Sequence, residues 1–469
     1  MADGSTQRAA RGTLFTIGLR LLSFVCTQAT LKLLDAPSLG KASISLELLL
    51  TTVLFPAREG FRLAVTKQVD LSLAWWSAPV MSLVSLGAFL WWNASSTEDV
   101  DYQTAGLLYC LASWIEGVVE PWVLGALNDM NLTLKASAEG LGAFGKTIGT
   151  IFLVSLVPPV TAMGLGQVIY AVLYATVYIS QSPMPTREVP KGETMYWTGI
   201  FTLQSIFKHV LTQGDRIVLT TLASHYEQGL YAIGHAYGSL AARLLLQPLE
   251  EHGRLVWSRM KNKAELRRSF VMGLRGVWYI GFLLACLAVN YTSILLKLVG
   301  KPEATEVLSA FCVYTAALAW NGLSEALVYA VASSGSDMGR LGIVHATIGG
   351  LLVASAPWAM TYGIVGLVAA NGVAMCLRAL YSMYCASVHL EEPMWKLLRD
   401  MLPHPTVLAA FGASFWMTLQ SSQWLNAEGE WLKLAAKHIG VGLSCTIGIA
   451  SLAYQNEREL RRFLRPKQA

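Results

Sequence analysis

The chain has 469 residues, 54% of them apolar and 14% charged, with a net charge of +5. That is more hydrocarbon than a water-soluble core can hide, and without a basic block interleaved with aromatics the positive charge does not point to nucleic acid. Lipid leaves backbone N–H and C=O groups unsatisfied except in helices and closed barrels, and apolar runs of roughly 17–25 residues select helices.

In chain order, Met1 to Gly12 looks like the charged start of a signal peptide. The apolar run behind it carries Arg20 and Lys32 and lacks a small-residue cleavage site, so it is expected to stay as a first helix. Breaks at Pro, Gly and charge predict spans near 12–34, 39–57, 72–92, 103–127, 138–157, 160–181, 195–221, 230–249, 271–290, 304–332, 341–360, 363–388, 404–422 and 431–453. The expected fold class is therefore all-α integral membrane with about fourteen transmembrane helices. With the N-terminus cytosolic, about 23 Lys and Arg flank the cytosolic ends and about 5 the other side, which places both termini in the cytosol. Trp75-Trp76 and Trp91-Trp92 stand sixteen residues apart, roughly 24 Å along a helix, and are expected at the two interfaces of the third span.

Asn-x-Ser/Thr sequons occur at Asn93, Asn131 and Asn290. Only Asn93 falls in a luminal loop, and it is the candidate glycosylation site. The seven cysteines are scattered mostly through apolar runs with no C-x-x-C pair, and read as small packing residues.

The most informative pattern is internal. Pro56, Glu59, Arg62 and Leu63 recur as Pro248, Glu251, Arg254 and Leu255, at an offset of 192. Gly117, Glu120 and Val123 recur as Gly322, Glu325 and Val328, at 205; Leu141-Gly142 and Thr147-Ile-Gly149 recur as Leu341-Gly342 and Thr347-Ile-Gly349, at 200. These collinear matches, each six spans apart, predict a duplication: an N-terminal lobe over 1–194, a C-terminal lobe over 195–388 and an appendage over 389–469. Six is even, so the lobes are expected to lie parallel, with a central cavity between them.

Charge inside hydrocarbon costs about 2.5–3.5 kcal/mol per residue at mid-bilayer and normally faces a cavity or a partner. Arg20, Lys32 and Lys208 have no acid at i±3 or i±4, so helix-local pairing cannot account for them. With Arg378, they form a candidate site for a phosphate or pyrophosphate. The blander alternative is pairing between helices, or snorkelling of Lys32. Arg58, Glu59, Arg62, Lys146, Arg216, Arg243, Glu250, Glu251, Asn321 and Glu325 are candidates to line the cavity or close the lobes. Glu116 and Glu120, four apart, are expected to share a face and pair with cations. Gly140-Leu-Gly142-Ala-Phe-Gly145 matches a dinucleotide-loop pattern but lies inside a span with no strand before it, and Gly145-x-x-x-Gly149 reads instead as close helix packing. No P-loop lysine, H-E-x-x-H or G-x-S-x-G motif occurs, so neither a nucleotide, a metal, another cofactor nor an enzymatic reaction is expected.

Several stretches together resemble the eukaryotic Rft-one family of the multidrug/oligosaccharidyl-lipid/polysaccharide exporter superfamily. They are Ala57-Arg-Glu-Gly-Phe-Arg-Leu-Ala64, Glu120-Pro-Trp-Val, Lys208 to Arg216, Gly238 to Glu251, Asn321-Gly-x-x-Glu325 and Arg378. The resemblance implies a two-lobe exporter-like bundle in the endoplasmic reticulum membrane that serves N-glycosylation. It also implies a dolichyl-pyrophosphate-linked oligosaccharide as partner, moved from the cytosolic to the luminal leaflet or assisted in its later use. A cation-coupled drug exporter is the less favoured relative, because it would need acids rather than Arg20 and Lys32 in the cleft. The connection Ser182 to Glu193 is shorter than is usual in the family.

Overall fold

The computed structural model describes residues 28, 31–68, 71–95, 99–129, 131–183, 192–331, 335–426 and 430–457. Helices make up the secondary structure, and no strand occurs among the described residues. Arg20 and nearly all of the first predicted span lie outside that set. From the second span onward, every predicted span falls on a helix.

The first described helices are α1 (Ala36–Gly40), a π-helical segment Lys41–Leu46, α2 (Glu47–Gln68), α3 (Ala74–Ala94), α4 (Val100–Val118), α5 (Glu120–Asn128), α6 (Leu132–Leu153), α7 (Pro159–Gln181), α8 (Gly192–Thr212), α9 (Gly214–Leu222) and α10 (His225–Ala241). After a second π segment, Ala242–Leu246, come α11 (Gln247–Trp257), α12 (Lys263–Phe282), α13 (Thr292–Val299), α14 (Thr305–Val331), α15 (Gly335–Met360), α16 (Gly363–Leu390), α17 (Met394–Asp400), α18 (Pro405–Ser422) and α19 (Trp431–Asn456).

Among the described residues, eight helical stretches are long and apolar enough to cross a membrane, or nine if the bent pair α4–α5 is one span. Large apolar side chains such as Leu83 (70% exposed), Ile343 (68%) and Leu432 (71%) cover the outside, as a chain with lipid for its solvent requires. This is a multi-pass membrane protein.

Several spans expected to be single helices are interrupted. The fourth bends by 46° at Val119. The cause is Pro121 in the first turn of α5, which has no N–H to continue the ladder. The seventh breaks at Gln213, before Gly214, and the ninth passes through π and 3-10 turns between Leu283 and Tyr291. Of the tryptophans in the third span, Trp76 and Trp91 are exposed, whereas Trp92 turns inward and donates its indole N–H to the Gln103 carbonyl.

By contacts the chain forms two compact units, divided between Ala232 and Ile233. In the first, α8 packs along α2 and the start of α10 meets α1. Its core gathers Val119, Val123, Leu134, Ala138, Tyr174 and Tyr178. In the second, Leu246, Trp257, Phe270, Trp320, Leu327 and Met383 bury the junction of α11, α12, α14 and α16. Both C-terminal helices belong to this unit, where Phe411 and Ile449 pack with Leu287.

Polar side chains finish the helix ends that backbone bonding leaves open. Asn131 caps α6 by accepting from the Leu134 N–H, and Asn262 caps α12. Asp101 accepts the N–H groups of Val160 and Thr161 at the start of α7, joining α4 to α7. Asn290 donates to Thr418 Oγ1 at 2.8 Å, so two of the three sequon asparagines have structural partners, while Asn93 is exposed at the end of α3.

Candidate functional site

In the first unit, α2, α4, α5, α6 and α7 bring a polar ladder into the apolar interior. Glu120 is fully buried and accepts both Arg62 Nε (2.6 Å) and Arg62 Nη2 (3.1 Å); Arg58 Nε stands 3.2 Å away. Arg58 also donates to Glu116 at 3.0 Å. Gln167 Nε2 donates to the other oxygen of Glu116 at 3.4 Å, and Lys146 Nζ donates to Gln167 Oε1 at 2.6 Å. Glu47 closes the series, 4.0 Å from Lys146.

Two arginines face two carboxylates, with the bidentate geometry that suits a guanidinium and a carboxylate in a dry place. The expected pairing of Glu116 and Glu120 is thus what the structure contains. Their shared helix face is not: the bend at Val119 separates them, and they converge because Arg58 reaches both. Gln167 was not singled out from the sequence, since a lone glutamine in a span has no periodic signature. The stacked Tyr170 and Tyr174 on α7 also went unseen.

The second unit treats the corresponding residues differently. At the sequence offset of 192 that matches Glu59 with Glu251, Arg58 falls opposite Glu250, whose carboxylate lies against the Cα face of Gly322. Arg254 does not engage Glu325 but stacks over Tyr329, 5.2 Å from the ring centre. Glu325 instead draws its cation from α16: Arg378 Nη2 lies 3.1 Å from Glu325 Oε1, and His345 Nε2 on α15 lies 3.3 Å from it. Asn321, one turn away, donates to the same oxygen at 2.8 Å. His345 was not anticipated, because a single histidine in a span shows its role only through its neighbours.

The remaining candidates scatter. Lys32 is exposed, and Arg216 is partly buried next to Asp215, whose carboxylate accepts from Tyr231 at 2.6 Å. Glu251 accepts from Gln247 on the exposed face of α11. Glu59 is partly buried on α2. The side chains of Lys208 and Arg243, like Arg20, lie outside the described residues, although α8 and the second π segment place their backbones. Of the four cations expected to receive a phosphate, Lys32 and Arg378 have described side chains, and Arg378 is ion-paired with Glu325 rather than vacant. The sequence could not reveal this, since Glu325 and Arg378 are 53 residues apart on different helices. Gly145 and Gly149 meet Leu173 and Ile169 of α7, in keeping with their expected packing role.

The helical fold has a solved counterpart. The structure titled "Lipid II flippase MurJ, inward closed conformation" superposes with a TM-score of 0.66 at 12% identity, covering 94% of this chain and 99% of that one. The chain therefore shares the fold of that structure. It belongs to the Rft protein family, whose model matches residues 5–466. Relatives named "Man(5)GlcNAc(2)-PP-dolichol translocation protein RFT1" include that of Xenopus tropicalis, 26% identical over 98% of this chain and 96% of its own. The Mus musculus relative is 27% identical over 97% and 95%. The match extends through the appended helices α18 and α19, beyond the stretches that carried the resemblance.

Proposed function

We propose that this protein promotes passage of a dolichyl-pyrophosphate-linked oligosaccharide from the cytosolic to the luminal leaflet of the endoplasmic reticulum membrane. The observation that carries this reading is the whole-length kinship with relatives named for translocating Man(5)GlcNAc(2)-PP-dolichol. In this reading about fourteen helices form two parallel six-helix lobes plus an appendage, and both termini face the cytosol. Arg20, Lys32, Lys208 and Arg378 take the pyrophosphate, the glycan occupies water, and the polyisoprenoid stays in lipid. Arg58 and Arg62 are assigned to structure, since Glu116 and Glu120 already neutralise them.

A second reading is a non-transporting lipid chaperone that presents the same lipid to luminal transferases. In both readings the head group must displace Glu325 from Arg378. Proteoliposomes carrying the purified chain and the labelled lipid separate the two. Translocation predicts faster leaflet exchange that R378Q slows. Unchanged exchange, combined with underglycosylation in cells lacking the protein, would leave the chaperone role.

A further inference from the structure

Three groups meet at one oxygen, Glu325 Oε1: Asn321 Nδ2, Arg378 Nη2 and His345 Nε2. The same Arg378 nitrogen lies 3.3 Å from His345 Nδ1. A guanidinium can only donate, so Nδ1 is the acceptor and the imidazole is held neutral with its hydrogen on Nε2. A proton added at Nδ1 would point at Arg378. His345 therefore stays neutral while the guanidinium is in place.

The cluster is not saturated. Asn321 is 4% exposed, yet its Oδ1 has no hydrogen-bond partner, and neither has Arg378 Nε; His345 Nε2 stands 3.3 Å from Glu325 Oε1 without a hydrogen bond to it. Buried polar atoms left open in this way mark a place where a further group is received. Access favours the cation: the Arg378 side chain is 28% exposed, against 14% for Glu325 and for His345. An incoming anion meets Arg378 first.

We propose that the arrival of a phosphate or pyrophosphate head group at Arg378 is coupled to uptake of one proton by His345. The proposal rests on the reading of Arg378 as a head-group contact. When the anion draws Arg378 away, Glu325 loses its countercharge and Nδ1 loses its donor. A proton from water then adds to the Nδ1 lone pair, and the imidazolium replaces Arg378 as the partner of Glu325. Departure of the head group returns Arg378 and expels that proton; no covalent bond of the lipid changes.

Among the described residues, the charges acting directly on His345 are Glu325 and Arg378. Farther off on α11, burial pushes the Glu250 carboxyl up to about 7, with Glu325 adding to the effect; Glu251 accepts from Gln247, and Arg254 is occupied with Tyr329. On α12, Arg267 is held by Glu392 and Asp400, and Arg275 by Glu457. Arg340, on the same helix as His345, is exposed, and the side chain of Arg243 lies outside the described residues.

Proton uptake on binding means that affinity rises as pH falls through the histidine range, by at most tenfold per pH unit for one proton. The test is calorimetric titration of the purified full chain with geranylgeranyl pyrophosphate between pH 5.5 and 8, in buffers of differing ionisation heat. Wild type should take up more protons than H345Q or H345N, by up to one, and gain affinity more steeply toward acid. E325Q should bind more tightly at every pH and lose the excess proton. R378Q should weaken binding at least tenfold throughout, with R378K intermediate. Equal proton uptake by wild type and both histidine variants, with binding still dependent on Arg378, overturns the coupling alone. Wild-type binding by R378Q overturns the head-group reading beneath it.

Discussion

Replacing Arg62 by Ala would leave Glu120, fully buried, with Arg58 alone and two of its contacts missing. Breaking one side of a buried pair costs about 3–5 kcal/mol, whereas removing both sides with residues of similar volume can be close to neutral. Thermal unfolding of the purified protein should therefore show R62A strongly destabilised and R62M/E120M less so. A double variant as unstable as the sum of the two single changes would contradict the pairing. Between spans, Asp99 accepts from Lys41, which holds its carboxyl below the usual carboxylate range, with the Tyr102 N–H adding to the effect. A depressed carboxylate stabilises the fold above its unfolded pKa, and that contribution is lost as pH falls through the folded value. D99N should thus be less stable than wild type at pH 7 and converge with it toward pH 3. Neither pairing was legible from spacing: Arg58 and Glu116, like Lys41 and Asp99, are 58 residues apart and meet only through packing of their helices.

At the scale of the helix, two glycines allow a backbone contact that no periodicity announces. A Cβ on Gly229 of α10 would sit 1.9 Å from the Ala36 carbonyl oxygen, and one on Gly40 would sit 2.0 Å from that of His225. Backbone cannot rotate aside as a side chain can, so G229V must part α1 from α10. Overpacking of this kind costs about 1–3 kcal/mol or more. A melting temperature as high as that of wild type, measured in detergent, would show that the helices are not in this contact. The positions of the helices were legible because an apolar run ended by Pro, Gly or charge leaves little choice in lipid. Their interruptions were harder to see. Pro121 does mark the bend at Val119, but no proline falls within the π segments Lys41–Leu46 and Ala242–Leu246 to mark them in the sequence.

For the whole molecule, the arginine and lysine asymmetry predicts that tags at both ends are cleaved by protease added to sealed microsomes, and protection of either end would refute that orientation. Lipid and backbone chemistry make this an all-helical membrane protein, and the arginine-, proline- and glycine-bearing stretches were enough to place it beside its family. Those properties depend on order along the chain, and the chain carries them openly. Which cation answers which anion was settled only in three dimensions. Glu120 and Glu325 fall in matching stretches of sequence, yet the first carboxylate takes its arginines from α2 and the second takes one from α16, with His345 close by. A buried charge is neutralised by whatever the packing brings within about 3 Å, and in a helical bundle that neighbour can come from any point along the chain.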